Sequence, residues 1–241
     1  MDAIRSVILK LTGEALPVDA QRHIDSKHAI NLAHQIKQLR GSVWFGIVIG
    51  GGNFFRGSQQ GAQLGLSGDA AHQTGMLATL MNGLILQGLF AQAGLETVIL
   101  SAFPASNQAA PINEQTIRAA QKKGASIIFA GGLGVPYFTT DTAAVVRALE
   151  TGAQEVWKVT TVDGIYSDDP KVNPHAAFIS SITHANAIEK SLTFMDTTAL
   201  CLAQQHAISI RVFNGFTENA LLRATNESSF GSIVHNQLNQ K

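Results

Sequence analysis

The chain has 241 residues, of which 45% are hydrophobic and 7% aromatic, and its 17 basic and 17 acidic side chains leave no formal net charge. This length and apolar content predict one compact domain over 1–241 that needs neither disulfides nor a structural metal. Zero net charge excludes a broad field that attracts nucleic acid or an anionic membrane, so we expect neither as a partner.

Two features bear on where the protein works. The single cysteine, Cys201, has no disulfide partner in the chain, which is typical of a reducing compartment, and its apolar surroundings predict a small buried residue on a helix. Residues 1–5 carry charges and lead directly into a strand-like run, and no run approaches the roughly 20 apolar residues of a membrane span. We therefore expect a cytoplasmic protein.

Short apolar runs alternate with segments of helical spacing along most of the chain. Runs typical of buried strands lie at 6–11, 43–49, 97–101, 126–130, 155–159 and 209–213. Helical spacing occurs at 26–39, 69–93, 113–123, 141–150, 196–205 and 217–224, with Ser26 and Thr140 as predicted N-caps. Turn signals over 163–181 predict a hairpin and surface loop, and 232–234 predicts an edge strand.

This alternation predicts an α/β fold, a mostly parallel sheet with helices on both faces in three layers. Sites in such sheets lie beyond the carboxyl ends of the strands. Three predicted strands end there in glycine-rich loops: Leu11-Thr12-Gly13, Gly50-Gly51-Gly52 and Gly131-Gly132-Leu133-Gly134. Glycine lets backbone N–H groups turn toward an anion, so three such loops at one edge favour a polyphosphate site, although each alone could be a tight turn.

Two common nucleotide-binding motifs are absent from the sequence. No G-x-x-x-x-G-K-[ST] occurs, which excludes an ordinary P-loop. The glycines at 50–52 also lack the G-x-G-x-x-G spacing of dinucleotide-binding folds. The remaining possibility is a phosphoryl-transfer enzyme with a different nucleotide-binding fold.

Several segments resemble, in order, the bacterial UMP kinases of the amino-acid-kinase family. The opening Lys10-Leu11-Thr12-Gly13-Glu14-Ala15-Leu16 is close to the K-L-S-G-E-A-L of that family. The others are IGGGNFFRG from Ile49, GMLATLMN from Gly75, PYFTTD from Pro136, KVTTVDGIY from Lys158, Asp169-Pro170, Met195-Asp196 and IRVFN from Ile210. The resemblance covers essentially the whole chain. It implies the amino-acid-kinase fold, ATP and Mg²⁺ as cofactors, transfer of the γ-phosphoryl group of ATP to UMP, and a homo-hexamer.

The resemblance also assigns roles to single residues. Lys10, a lone cation closing an apolar strand, becomes the transition-state lysine, although a surface lysine is the ordinary interpretation. Asp141 becomes an aspartate that orients this lysine, a role compatible with stabilising a helix dipole. The implied ATP-binding residues are Lys10, Leu11, Thr12, Gly13, Gly52, Arg56, Thr160, Tyr166 and Asp169. The implied UMP-binding residues are Gly51, Asp69, Leu133, Gly134, Val135, Pro136, Tyr137, Phe138, Thr139 and Thr140.

The acceptor side departs from the family pattern. Leu133 and Val135 replace the two polar side chains of the family's T-G-N-P, and the aspartate that meets the acceptor ribose corresponds to Asp69 with an insertion or to His72 without one. Transfer from ATP is therefore better supported than UMP as the acceptor. The alternatives are an enzyme of this fold that phosphorylates a carboxylate or carbamate, and a nucleotide-binding regulatory protein, which the presence of Lys10 and Asp141 disfavours.

Two further expectations concern metal and regulation. ATP chemistry implies magnesium, but the sequence identifies no protein ligand for it. Segments 84–93 and 96–101 contain no Arg, Lys or His, the side chains through which GTP activates the bacterial family, so we expect weak or absent activation by GTP.

Overall fold

One large sheet organises the chain, which a computed structural model describes over residues 4–19 and 24–236, the side chains of Ser58 and Gln59 excepted. The predicted N-terminal segment 1–5 therefore lies mostly outside the described residues. The strands are β1 (Arg5–Leu11), β2 (Val43–Ile49), β3 (Thr97–Ser101), β4 (Ala110–Pro111), β5 (Ser126–Ala130), β6 (Glu155–Thr160), β7 (Ile165–Tyr166), β8 (Phe178–Ile179), β9 (Ser181–Thr183), β10 (Ser209–Asn214) and β11 (Ser232–His235). The helices are α1 (Lys27–Gln38), α2 (Gly68–Gln92), α3 (Glu114–Lys122), α4 (Thr140–Thr151), α5 (His184–Glu189), α6 (Thr197–Gln205) and α7 (Ala220–Asn226).

The strand order places β1 at the centre of the sheet. Within the described residues the order is β4-β3-β5-β2-β1-β6-β10-β11-β9, and every neighbouring pair is parallel except β10 and β11. The chain thus builds one half of the sheet on one side of β1 and the other half on the opposite side. Where the order of strands reverses in this way, a crevice opens beyond the carboxyl ends of the central strands. Ligands bind in this crevice in folds of this kind.

The helices cover the sheet on both faces, as the sequence predicts. One apolar cluster joins the strands to α1, α2 and α7, and a second joins them to α3, α4, α5 and α6. The alternation of side chains along a strand divides β1 between these clusters. Val7, Leu9 and Leu11 belong to the first cluster and Ile8 to the second. The same alternation turns Lys10 toward the face that α4 covers.

Several predicted bounds need correction. The N-cap of α4 is Thr139 rather than Thr140, since the Thr139 side chain accepts the hydrogen bond from Asp141 N. The last helix is shifted to Ala220–Asn226, and β11 is not an edge strand because β9 pairs with its outer side. The predicted hairpin at 163–181 is present as β7 and β8. No pattern in the sequence predicts β4, β9 or α5.

The prediction that Cys201 is buried is wrong, because its side chain is exposed. The buried residues of α6 are Ala199, Leu200 and Ala203, which define one helical face. Cys201 follows Leu200 by about 100° around the helix and so faces away from the core.

Helix α2 also qualifies the expectation that no segment could span a membrane. By length and composition alone it is apolar enough to cross a bilayer, and 39% of its most apolar window is buried inside the fold. Its inner face packs on the first cluster through Leu86 and Phe90, and its outer face carries the exposed side chains of Leu77 and Met81. A core helix of a layered fold meets the same test, so this feature is weak support for a membrane span.

Candidate active site

The three glycine loops predicted from the sequence meet at one edge of the sheet. Gly50 N donates to Leu11 O at 3.0 Å, which joins the second loop to the end of β1. A Cβ on Gly13 would lie 2.7 Å from Asn53 N, and a Cβ on Gly51 would lie 2.8 Å from the Ala78 side chain of α2. These distances are shorter than any ordinary contact, so only glycine allows the loops to approach each other and α2 this closely.

Polar side chains of α2 and of the second loop hold this junction together. Asn82, which is fully buried, donates to Gly50 O at 2.6 Å and to Asn53 Oδ1 at 2.7 Å. Asn53 Nδ2 in turn donates to Leu16 O at 2.9 Å, just beyond the first loop. Because buried amides need partners, these bonds fix the mutual position of the first two loops.

A cluster of three buried charges lies at the centre of this edge. Lys10 Nζ is 2.8 Å from Asp141 Oδ1, and Lys158 Nζ is 2.6 Å from Asp141 Oδ2. Lys10 and Lys158 are direct register partners on the neighbouring strands β1 and β6, so both point to the face where α4 begins. Each of the three residues is only 7–8% exposed. The carboxylate thus holds two ammonium groups side by side, which supplies two positive charges at the mouth of the crevice.

The local environment shifts the pKa values of Asp141 and Lys158. Burial by itself raises the pKa of Asp141, but the charges and hydrogen bonds of Lys10 and Lys158 outweigh that effect and lower the pKa to about 2. Burial, reinforced by the nearby charge of Lys10, lowers the pKa of Lys158 to about 8, although Asp141 opposes the shift. At neutral pH Asp141 is therefore ionised and Lys158 is largely protonated.

A second carboxylate, Asp196, connects the start of α4 to the start of α6. It accepts hydrogen bonds from Thr139 Oγ1 at 2.5 Å and from Thr142 Oγ1 at 2.9 Å, and it caps α6 through Ala199 N at 2.8 Å. Thr139, a predicted acceptor-binding residue, is thereby fixed between the two helices. Thr140 lies across the crevice, where a Cβ on Gly50 would be 3.7 Å from its hydroxyl oxygen.

Arg56 lies at the far side of the second loop and is more exposed. Its Nε donates to Gly52 O at 3.2 Å, and its Nη2 is 3.7 Å from Glu14 Oε1 of the first loop. The Arg56 side chain is 53% exposed and so is accessible to an anionic ligand. Leu11 is fully buried, Gly13 is buried, and Thr12 is partly exposed between them, so any contact of this segment with phosphate has to come mainly from its backbone and from Thr12.

Two of the residues assigned to the nucleoside of ATP line one cavity. Tyr166 and Asp169 border a cavity of about 290 Å³ that also contacts Val162, Gly164, Leu192 and Phe194. Thr160 is at the end of β6 and its hydroxyl exchanges hydrogen bonds with Val162, donating to O at 2.9 Å and accepting from N at 3.1 Å. Thr160 therefore shapes the turn that enters the cavity instead of lining it.

The predicted acceptor residues of the third loop divide into partly buried and exposed members. Gly134 bonds back to Gly131 O at 2.9 Å, and Leu133 packs against the second apolar cluster. Val135 and Phe138 are 49% and 47% exposed, and Pro136 between them is partly exposed. Leu133 therefore faces the core. Of the two residues that depart from the family's T-G-N-P pattern, Val135 is the one whose side chain is available to a ligand.

Tyr137 brings together the two residues that compete for the acceptor-ribose position. Its hydroxyl donates to Asp69, and this bond to a carboxylate raises the pKa of Tyr137. Its ring lies 4.7 Å from that of His72, centroid to centroid. Asp69 and His72 are one turn apart at the start of α2, and Tyr137 of the acceptor segment contacts both candidates.

The side chains of residues 4–19 and 24–236 do not form a dedicated magnesium site. Among the described residues no three His, Cys, Asp or Glu side chains lie together as metal ligands. Both oxygens of Asp141 are occupied by lysines, and both oxygens of Asp196 accept from threonines. A cage of protein ligands for Mg²⁺ is therefore not present, and the ligands of such an ion would come chiefly from phosphate oxygens and water.

The sequence-based assignment missed four residues that the structure places in or beside the site: Lys158, Asn82, Thr79 and Arg147. Lys158 was detectable, because it is a lone cation inside an apolar strand, the signal that identified Lys10. The other three are polar residues within helices, and their partners are distant in sequence, so no local pattern marked them.

Comparisons with known proteins agree with this geometry. Residues 5–214 match the amino acid kinase family. The chain is 39% identical to a uridylate kinase of Alcanivorax borkumensis over 95% of this chain and 90% of the relative. It is 40% identical to the chloroplastic uridylate kinase PUMPKIN of Arabidopsis thaliana, over 95% of this chain and 68% of the relative. The crystal structure of UMP kinase from Ureaplasma parvum superposes with a TM-score of 0.91 at 34% identity, covering 97% of this chain and all of that chain. The chain therefore belongs to the amino acid kinase family and, within it, to the uridylate kinases.

Proposed function

We propose that this protein transfers the γ-phosphoryl group of ATP to UMP and so produces UDP, a step of pyrimidine nucleotide synthesis. The observation that carries the proposal is the buried Lys10–Asp141–Lys158 cluster, enclosed by three glycine loops at the carboxyl edge of the sheet. The similarity to uridylate kinases over nearly the whole chain supports UMP as the acceptor.

The chemistry follows from charge and position. Phosphoryl transfer spreads negative charge over the equatorial oxygens of the moving group, and catalysis consists mainly of holding donor and acceptor in line and stabilising that charge. Lys10 and Lys158 supply two fixed cations, and Asp141 keeps both side chains in place before substrate arrives. Because the cluster is buried, its charges act with little screening by water.

The remaining site residues provide for the two nucleotides. The cavity bordered by Tyr166 and Asp169 takes the nucleoside of ATP, with its phosphates on the backbone of Thr12, Gly13 and Gly52. Arg56 binds phosphate beside the second loop. On the acceptor side, residues 133–140, Gly51 and Asp69 enclose UMP, and His72 takes part in the same wall through Tyr137.

The proposal also covers the cofactor, the assembly and the location of the protein. Magnesium would enter with ATP, ligated by phosphate and water, and would neutralise phosphate charge; no step is assigned to a protein ligand. The exposed apolar side chains of Leu77, Met81 and Leu84 on α2 support association of identical chains, with a hexamer as the family pattern. A cytoplasmic location is consistent with the free cysteine.

The test is a panel of acceptors with ATP and magnesium, with nucleoside diphosphate identified directly as product. We expect UDP from UMP at the highest kcat/KM, with lower rates for CMP and dUMP. Acetate, aspartate and carbamate serve as the acceptors of the alternative hypothesis. The proposal is wrong if none of the three nucleotides gives a diphosphate at high enzyme concentration, and turnover of a carboxylate would identify the alternative.

A further inference from the structure

Arg147 is a buried cation that takes no part in the proposed ATP site and that an apolar core does not need. It lies on α4, six residues after Asp141, and is only 4% exposed. A guanidinium removed from water is costly unless its donors find acceptors, so the groups that it contacts indicate what it does.

The contacts of Arg147 lead to the acceptor loop. Its Nη2 donates to Gly132 O at 2.9 Å, and its Nη1 donates to Glu150 Oε2 at 2.5 Å. The guanidinium also lies over the Phe129 ring, 5.7 Å from the centroid. The side chain thus extends from α4, past the end of β5, to the backbone of the loop that begins at Gly131.

The loop that begins at Gly131 needs support from other residues because its backbone is rich in glycine. Gly131, Gly132 and Gly134 have φ values of 81°, 59° and 79°, a left-handed conformation that glycine adopts at little cost but that glycine also leaves readily. One internal hydrogen bond, from Gly134 N to Gly131 O, crosses the loop. Glycine restrains it little, so side chains from outside must define where its peptide groups point.

Two buried side chains supply that support from opposite faces of the sheet. Thr79 of α2, 4% exposed, accepts from Gly131 N at 2.8 Å. Arg147 of α4 binds Gly132 O, the next main-chain acceptor along the loop. The loop is therefore held between a hydroxyl on one side and a guanidinium on the other.

We propose that Arg147 is a positioning residue for the phosphoryl acceptor, acting through Gly132 O on the loop that binds UMP. The inference rests on the proposed function. It matters in this chain because Leu133 packs on the second apolar cluster and Val135 lacks polar atoms, so residues 132–135 can recognise a base only through their backbone. A backbone that reads the acceptor must stay within a fraction of an ångström of its productive position.

The kinetic test compares Arg147→Met and Arg147→Lys with the wild type in the full chain. Arg147→Met should raise KM for UMP about tenfold, the size expected for one lost hydrogen bond to a charged group, while KM for ATP stays within about twofold. Arg147→Lys should recover part of the loss, because one ammonium can reach Gly132 O or Glu150 but not both in the same geometry. Arg118→Met on α3 is the matched control, since the Arg118 side chain is 75% exposed and forms a helical ion pair with Glu114.

A second measurement does not depend on which acceptor is used. Hydrogen–deuterium exchange of the free protein should be faster at the amides of 132–135 in Arg147→Met than in the wild type, and unchanged in β1 and β6. If wild type fails to phosphorylate UMP but the loop amides respond, the proposed function is wrong and the positioning role stands. If exchange is unchanged, or KM for ATP rises as much as KM for UMP, the proposal is overturned. Should Arg147→Met not fold, Glu150→Gln is the second variant, because it leaves the Gly132 contact in place and replaces the charged anchor of the guanidinium by a neutral amide. It must show the same direction of change at smaller size, and no change in it would equally refute the proposal.

Discussion

The proposed donor side and the proposed acceptor side of this site are built in different ways. On the donor side the chemical groups are side chains of strands and of a helix start, and Lys10, Lys158 and Asp141 are almost completely buried. On the acceptor side a loop presents Val135, Tyr137 and Phe138, which are 47–69% exposed. Removing one member of a buried charge cluster leaves an uncompensated charge, whereas an exposed loop changes its side chains at little cost to stability. This difference agrees with the departures from the family pattern at Val135 and at the start of α2, whereas the departure at Leu133 lies against the core.

The largest expected effect comes from breaking the donor cluster. Asp141→Asn leaves two buried ammonium groups facing each other without a counter-charge, so we expect the free energy of unfolding to fall by about 3–5 kcal/mol, as measured by urea denaturation at pH 7. The exposed pair of Glu114 and Arg118 provides the control. Glu114→Gln should cost less than about 1 kcal/mol. Equal losses in the two variants would show that the cluster is not buried in solution.

Substitution of an exposed residue in the acceptor loop should change the selectivity between UMP and CMP, with little change in the stability of the protein. Val135→Asn places an amide on the exposed position of the loop, and we expect the ratio of kcat/KM for UMP over CMP to rise about ten- to thirtyfold, the value of one or two well-placed hydrogen bonds. Leu133→Thr is the comparison, because Leu133 packs on the core. It should lower the melting temperature and leave the ratio nearly unchanged. A ratio that moves with Leu133 and not with Val135 would reverse the orientation described for this loop.

Raising the pH should separate activity from stability. The pKa of Lys158 is about 8 in the folded protein, below its ordinary value of 10.5, so between these values the unfolded chain holds more protons than the folded one. The free energy of unfolding therefore rises with pH through this group, while the charge offered to phosphate is lost. We expect kcat/KM for ATP to fall up to tenfold per pH unit above about 8, without destabilisation from this residue. Lys158→Arg, which stays charged, should remove the fall, and a flat profile in the wild type to pH 9.5 would contradict the role of Lys158.

Much of the fold followed from local pattern. The alternation of apolar strands with amphipathic helices predicted a mostly parallel sheet covered on both faces, and the bounds of β2, β3 and β5 agree with the predicted runs. The short β4, β9 and α5 were not predicted, because two or three residues of strand and six of helix carry too little periodicity. Cys201 was misplaced since an apolar neighbourhood in sequence does not say which face of a helix a residue occupies.

The site was predicted only where local sequence carries its signal. Glycines at strand ends pointed to the loops, and a lone lysine in an apolar strand pointed to Lys10. The contacts that hold these parts in place join residues 52 and 15 positions apart, as for Thr79 with Gly131 and Arg147 with Gly132, and they depend on the packing of α2 and α4 against the sheet. No pattern in a single sequence marks such pairs. The resemblance to a family indicates the reaction, whereas the side chains that support the loops depend on the packing of α2 and α4.

The most direct test of the account is the rate of the chemical step in Lys10→Ala, measured by rapid quench from a preformed complex with ATP and UMP. Because the Lys10 charge matters most while the phosphoryl group is in transit, the rate constant should fall about a hundredfold or more while the Kd for ATP changes about threefold or less. Lys123→Ala, which removes an exposed lysine at the end of α3, should leave both values at wild-type level. A Lys10→Ala protein that transfers phosphate at nearly the normal rate, or that loses only ATP affinity, would contradict the claim that the buried cluster stabilises the transferring group.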